Sequence, residues 1–261
     1  MIKDEKIKIL RSVLFPAIFV AIMWLVKSVE LMMHIKISQF GIKPGDLSGM
    51  IGIFLSPFIH GSISHISANT LPFLVLGSLL FYIYRPIAWK VFILTWLITG
   101  LWVWFWARPS YHIGASGVVY GLASFLFFSG IIRKDGRLMA VTFLVAFLYG
   151  SLVWGIFPNM FPEKNISWES HLMGLIAGLV MAIYFKNEGP QRRQYSWELE
   201  DDEVAEDDPD AYWNKPVQLK NQNQPTVKTN TSEESSATEQ NIQINYIYRE
   251  KEQDNGSKNK A

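Results

Sequence analysis

Apolar residues in this chain gather into long unbroken runs, separated by short clusters of charge, Pro and Gly. Six runs stand out, at residues 12–26, 63–84, 87–106, 115–132, 138–157 and 170–185. A bilayer core about 30 Å thick takes roughly 20 helical residues, and most of these runs approach that length. The breaks carry turn and charge signals: Arg85-Pro86, Arg108-Pro109-Ser110, Arg133-Lys134-Asp135-Gly136-Arg137 and residues 158–168. Because the runs are continuous rather than alternating, they predict helices and not the strands of an outer-membrane barrel. The expected fold is an all-α membrane protein with six transmembrane helices. The first run resembles a signal peptide in position, but no A-x-A-like site follows it, so it is read as an uncleaved anchor.

Two stretches depart from this pattern. Residues 33–62 form a long connection that contains Phe40, Ile42, Leu47, Met50, Ile51, Ile53, Phe54, Leu55 and Phe58. That is too apolar for a floppy loop, and short helices packed on the bundle or at the interface are expected. From Asn187 onward the chain is polar and acidic, with the run Glu198-Leu199-Glu200-Asp201-Asp202-Glu203. Such a segment cannot bury enough apolar surface to offset its ordering entropy. The division expected is an N-terminus (1–11), a six-span domain (12–186) and a disordered acidic tail (187–261). The tail reads as solvated, or as a docking segment for a cytoplasmic partner with Tyr212-Trp213 as its anchor.

Charge orients the bundle. Residues 1–186 hold 15 basic and 7 acidic side chains, whereas 187–261 hold 9 and 16, so the net charge of +1 averages two unlike pieces. Of the basic residues up to Arg193, 12 fall on the side that holds both termini and 5, with Lys27, on the other. Both termini are therefore expected in the cytoplasm, which suits a bacterial inner membrane. With no cysteine there is no disulfide framework, thiolate metal site or cysteine nucleophile. The scattered basic residues give no nucleic-acid footprint. No metal or other cofactor is expected.

Polar residues inside spans are costly and each needs a reason. Asn69 lies 16 residues before Arg85, Ser116 lies 17 before Arg133, and His171 lies 15 before Lys186. At a helical rise of 1.5 Å per residue these are ~24, ~26 and ~23 Å from the inner boundary, on three runs pointing the same way. His65 sits one turn above Asn69 on the same face. His171 shares a face with Gly174 and Gly178, and Gly117 and Gly121 flank Ser116 and Tyr120. Glycines at this spacing let helix backbones approach closely. Tyr120, one turn below Ser116, can stack on the imidazole.

A Ser hydroxyl is a weak nucleophile until a base takes its proton, and His is the usual base. Ser116 follows Gly114-Ala115 at a helix start, whose free N–H groups suit an oxyanion. Asn69 and His65 could complete that hole. Glu169 points away from His171 on a helix, so a dyad is the economical arrangement. Taken singly, a Ser in a span usually bonds to its own helix, and Asn is most often interhelical glue; their shared depth raises the joint reading. The segment Gly114-Ala115-Ser116-Gly117-Val118 is not a hydrolase elbow, because its fifth residue is Val. Among other residues, Lys27 and Glu30 can pair. Trp102, Trp104 and Trp106 are expected in an interface belt. His60 is expected at the interface, and His34 and His112 receive no role.

The string Gly114-Ala115-Ser116-Gly117-Val118-Val119-Tyr120-Gly121 resembles the G-x-S-G-x-x-Y-G signature of the rhomboid intramembrane serine proteases. His65-Ile66-Ser67-Ala68-Asn69 is similar to their H-x-x-x-N motif, preceded by His60-Gly61-Ser62. His171-Leu172-Met173-Gly174 through Gly178 is similar to their H-x-x-G-x-x-x-G motif. The resemblance covers roughly residues 57–185. It implies a six-helix rhomboid bundle with Ser116 as nucleophile and His171 as general base. His65, Asn69 and the Ser116 N–H would form the oxyanion hole, with Tyr120 under His171. It further implies cleavage of single-span membrane proteins near the outer end of the span. Many members carry a Trp-Arg pair in the loop after span one, whereas Gly45-Asp46-Leu47-Ser48-Gly49-Met50-Ile51 here has none. The alternatives are a catalytically silent rhomboid-like protein that binds membrane segments, and a small transporter. A transporter would usually show ionisable residues through the membrane depth or inverted repeats.

Overall fold

The computed structural model describes residues 2–157 and 167–192. The expected disorder of the tail therefore falls, from residue 193 onward, outside the described residues, as does most of the break at 158–168. Within them the α-helices are α1 (Ile2–Met32), α2 (Gly52–Leu55), α3 (Ile63–Ile83), α4 (Ala88–Trp106), α5 (Ser116–Arg133), α6 (Gly136–Tyr149) and α7 (Trp168–Tyr184). Four helices are long and apolar enough to cross a bilayer: Asp4–Met32, Ile63–Ile83, Ala88–Trp106 and Ser116–Arg133. The protein is a multi-pass integral membrane protein. α6 and α7 are apolar but shorter.

Two of the six runs differ clearly in extent from the sequence reading. α1 continues the first run at both ends and takes in Lys6, Lys8 and Arg11. The acidic Asp4 and Glu5 in its first turn complement the helix dipole. The fifth run is not one helix. α6 ends at Tyr149, and Gly150–Ile156 tightens into a 3₁₀ turn, where Gly150 and Gly155 weaken an α-helix.

α5 lies at the centre, with most of its residues buried. α7 meets it backbone to backbone. A Cβ on Gly174 would strike the Gly117 carbonyl, and one on Gly178 the Gly121 carbonyl. No side chain separates the two helices at these points, which fixes their axial register. α1 and α3 meet where Pro16 fills the space above Gly77. Between α1, α3 and α4 runs an aromatic core, in which Phe19 stacks on Phe73 at 4.4 Å and packs edge-on to Phe92 and Trp96. Apolar side chains such as Leu14, Leu25, Phe105 and Phe147 stay on the outside, as a lipid-facing surface requires.

The connection after α1 folds as expected into short helices, with 3₁₀ turns at Ser38–Phe40, Leu47–Ile51 and Ser56–Phe58 around α2. α4 holds it. Trp104 Nε1–H donates to the Asp46 carbonyl at 2.9 Å, and Trp96 Nε1–H to the Ile53 carbonyl at 2.8 Å. Trp104 is thus a strut for the loop rather than a free member of an interface belt, while Trp106 remains exposed.

Candidate active site

The turn that delivers Ser116 is built on glycine. Gly114 has φ +107°, a conformation that only glycine adopts at little cost, and its N–H donates to the Ser56 carbonyl at 2.8 Å. The chain then enters α5 at Ser116, which is half-buried and so within reach of another molecule. Gly114 also leaves room overhead. A Cβ there would lie 2.8 Å from His65 Cε1 and Nε2 and 3.8 Å from Asn69 Nδ2. The His65 ring and the Asn69 amide therefore sit directly over the residues leading into Ser116. Ser62 caps α3, its Oγ accepting from the His65 N–H at 3.1 Å. Asn69 Nδ2 donates to the His65 carbonyl at 3.2 Å, which uses one of its two hydrogens and orients the amide.

His171 arrives from α7. Its ring lies flat on Tyr120 of α5, with centroids 4.1 Å apart and an interplanar angle of 6°. Its Nδ1 is 2.8 Å from the Gly155 carbonyl oxygen. A carbonyl only accepts, so Nδ1 carries the proton and Nε2 keeps its lone pair. The Gly117–Gly174 contact draws the start of α7 against the start of α5, which puts His171 and Ser116 at the same end of the helix pair. The structure thus brings His65 and Asn69 together over the turn that leads into Ser116, and it sets His171 on Tyr120 at the same end of the α5–α7 pair. Among the described residues, no group of three or more His, Asp or Glu side chains converges as a metal site would.

Residues 47–188 match the Rhomboid domain. The chain belongs to the rhomboid family. That family includes serine intramembrane proteases. An uncharacterized protein of Mycobacterium tuberculosis is 31% identical over 182 residues, covering 67% of this chain and 75% of the relative. The rhomboid protease GlpG of Pectobacterium atrosepticum is 30% identical over 131 residues, covering 50% of this chain and 47% of that one. A putative rhomboid protein of Acanthamoeba polyphaga mimivirus is 27% identical over 143 residues, covering 53% and 77%.

Within this rhomboid fold the structure assigns positions to residues that the sequence reading passed over. His60, expected at the interface, is buried within the protein, 1% exposed. Its Nε2 accepts from the Ala115 N–H at 3.4 Å, and its ring meets His65 edge-on at 5.0 Å. Burial, with His65 and Lys27 nearby, pushes its pKa down to about 3. Lys27 pairs with Glu30 at 2.7 Å as expected, and it also donates to the His60 carbonyl at 2.9 Å. His112 is buried too. Its backbone forms a two-way bridge with Ile42, and its Nδ1 lies 2.6 Å from Ser167 Oγ at the start of α7. Burial lowers its pKa. Glu169 is buried beside Arg108, at 3.2 Å from the guanidinium Nε. Gly155 supplies the acceptor for His171, yet a glycine near the end of an apolar run carries no signal of that role in sequence.

Proposed function

We propose that this rhomboid is an intramembrane serine endopeptidase, with Ser116 as nucleophile and His171 as general base. The observation that carries the proposal is the state of His171. It is stacked on Tyr120 and donates from Nδ1 to Gly155, which leaves Nε2 as the basic atom on the helix locked to the one that Ser116 begins. In the reaction, the Ser116 proton passes to His171 Nε2 as Oγ bonds to the scissile carbonyl carbon. The carbonyl oxygen takes up the negative charge. His65, Asn69 and the N–H groups at the start of α5 supply the donors that stabilise it. Collapse of the intermediate breaks the C–N bond, and the imidazolium returns its proton to the leaving amine. Water, activated by the same nitrogen, then releases the acyl group.

In this reading α6 with its 3₁₀ turn, and α7, complete a six-span bundle with both termini cytoplasmic. The substrates are single-span membrane proteins, cut near the outer end of the span. The polar tail after Asn187 is a solvated appendage or a dock for a cytoplasmic partner. The test is reconstitution with a generic single-span substrate, together with fluorophosphonate labelling. Cleavage and labelling by the parent are expected, and both should vanish in a folded Ser116→Ala variant. Well-folded parent protein that takes no label would instead mean a catalytically silent rhomboid.

A further inference from the structure

At the end of the bundle away from Ser116, a cleft of about 570 Å³ opens between the start of α1, the end of α3 and the start of α4. We propose that it binds an anionic phospholipid, with the phosphate held by Arg11 and Arg85 and the upper acyl carbons laid on an aromatic floor. That floor is three rings in mutual contact: Phe15 lies 4.5 Å from Trp89 and 5.0 Å from Phe81, and Phe81 lies 4.9 Å from Trp89. The rim carries Lys8, Arg11 and Arg85 against one carboxylate, Asp4. Lys8 is engaged, over the Tyr82 ring at 4.5 Å and 3.9 Å from Glu5. Arg11 and Arg85 are exposed and have no ion-pair partner among the described residues.

The two halves of the cleft select one ligand class. Guanidinium groups recognise a phosphodiester through paired N–H donors. A free anion would leave the three rings uncovered, whereas a lipid carries the phosphate and the hydrocarbon on one molecule. The excess of cations disfavours the ammonium group of a zwitterionic headgroup. α3 and α4 are both long and apolar enough to cross a bilayer, which sets this end of them at headgroup level, and basic pockets between spans at that level are suited to headgroups. The acidic run of the tail is the other occupant of matching charge. Its carboxylates lie on a polar peptide that offers little to an aromatic floor.

The test is native mass spectrometry of the full chain in detergent, titrated with phosphatidylglycerol or phosphatidylcholine. Phosphatidylglycerol adducts should form at roughly tenfold lower lipid concentration. That preference should disappear in the Arg11→Gln/Arg85→Gln variant, with the unfolding temperature in lipid-free detergent unchanged. Trp89→Leu should weaken phosphatidylglycerol binding while keeping the preference. Soluble glycerol 3-phosphate should not displace the lipid. Equal binding of the two lipids by the parent, or a preference that survives in the double variant, would overturn the proposal. Displacement by glycerol 3-phosphate would make the cleft a plain anion site. Lipid adducts seen only after removal of residues 194–261 would make the tail its occupant.

Discussion

The imidazole of His171 is held on two sides by groups of different kind. Tyr120 fixes the plane of the ring, and the Gly155 carbonyl fixes which nitrogen bears the proton. Gly155 is also sterically required. A methyl group there would run into the Tyr120 hydroxyl and lie 3.1 Å from His171 Nδ1. Gly155→Ala should therefore tilt the ring off its stack while the helices stay in place. On the proposed chemistry, kcat should fall by roughly 10²-fold with KM little changed, because misplacing a reacting group by an ångström costs about that much. Steady-state kinetics on the reconstituted substrate give both constants. Unchanged kcat would remove Gly155 from the machinery of the base.

At the scale of elements, the α5–α7 pair determines the site. Gly174→Val should be the more damaging kind of change, since the new side chain meets the Gly117 backbone and not a movable side chain. Overpacking of this sort costs about 1–3 kcal/mol. A lower unfolding temperature in detergent, together with lost fluorophosphonate labelling, is expected; parent-like stability would show that the helices can separate there. This contact was legible in sequence, because glycines at positions 117, 121, 174 and 178 recur at the period of a helix. So were the starts of α4 and α5, which Arg85-Pro86 and Arg108-Pro109-Ser110 precede. The 3₁₀ turn at Gly150–Ile156 was not, since hydropathy does not distinguish it from a further α-turn. His60 and His112 escaped for a related reason. They sit in loops, where no period reveals burial, and only tertiary contacts with Lys27, Ala115 and Ser167 account for them.

Across the whole molecule, His60 is the point where distant parts of the chain converge. Lys27 of α1 holds its carbonyl, His65 of α3 packs on its ring, and the Ala115 N–H at the entrance to α5 donates to its Nε2. The folded chain keeps this ring neutral down to about pH 3, whereas an unfolded chain protonates it near its ordinary 6.5. A depressed pKa of this kind supplies stability that is complete above pH 6.5 and is lost as pH falls towards 3. The unfolding temperature in detergent should therefore drop between pH 7 and pH 4, and His60→Asn should flatten that drop. An identical pH profile in the variant would show that His60 does not contribute to it. His112, depressed in the same direction by burial, contributes to the slope that remains.

The dependence of His171 on the Gly155 carbonyl also bears on timing. The chain leaves the ribosome in the order His60, His65, Ser116, Gly155, His171. On the proposed chemistry, a half-synthesised protein holds its serine before the nitrogen that activates it exists. The carbonyl that readies that nitrogen is in place before the imidazole reaches it. On the proposed reading, the newborn chain stays inert among its neighbours until its last span is threaded.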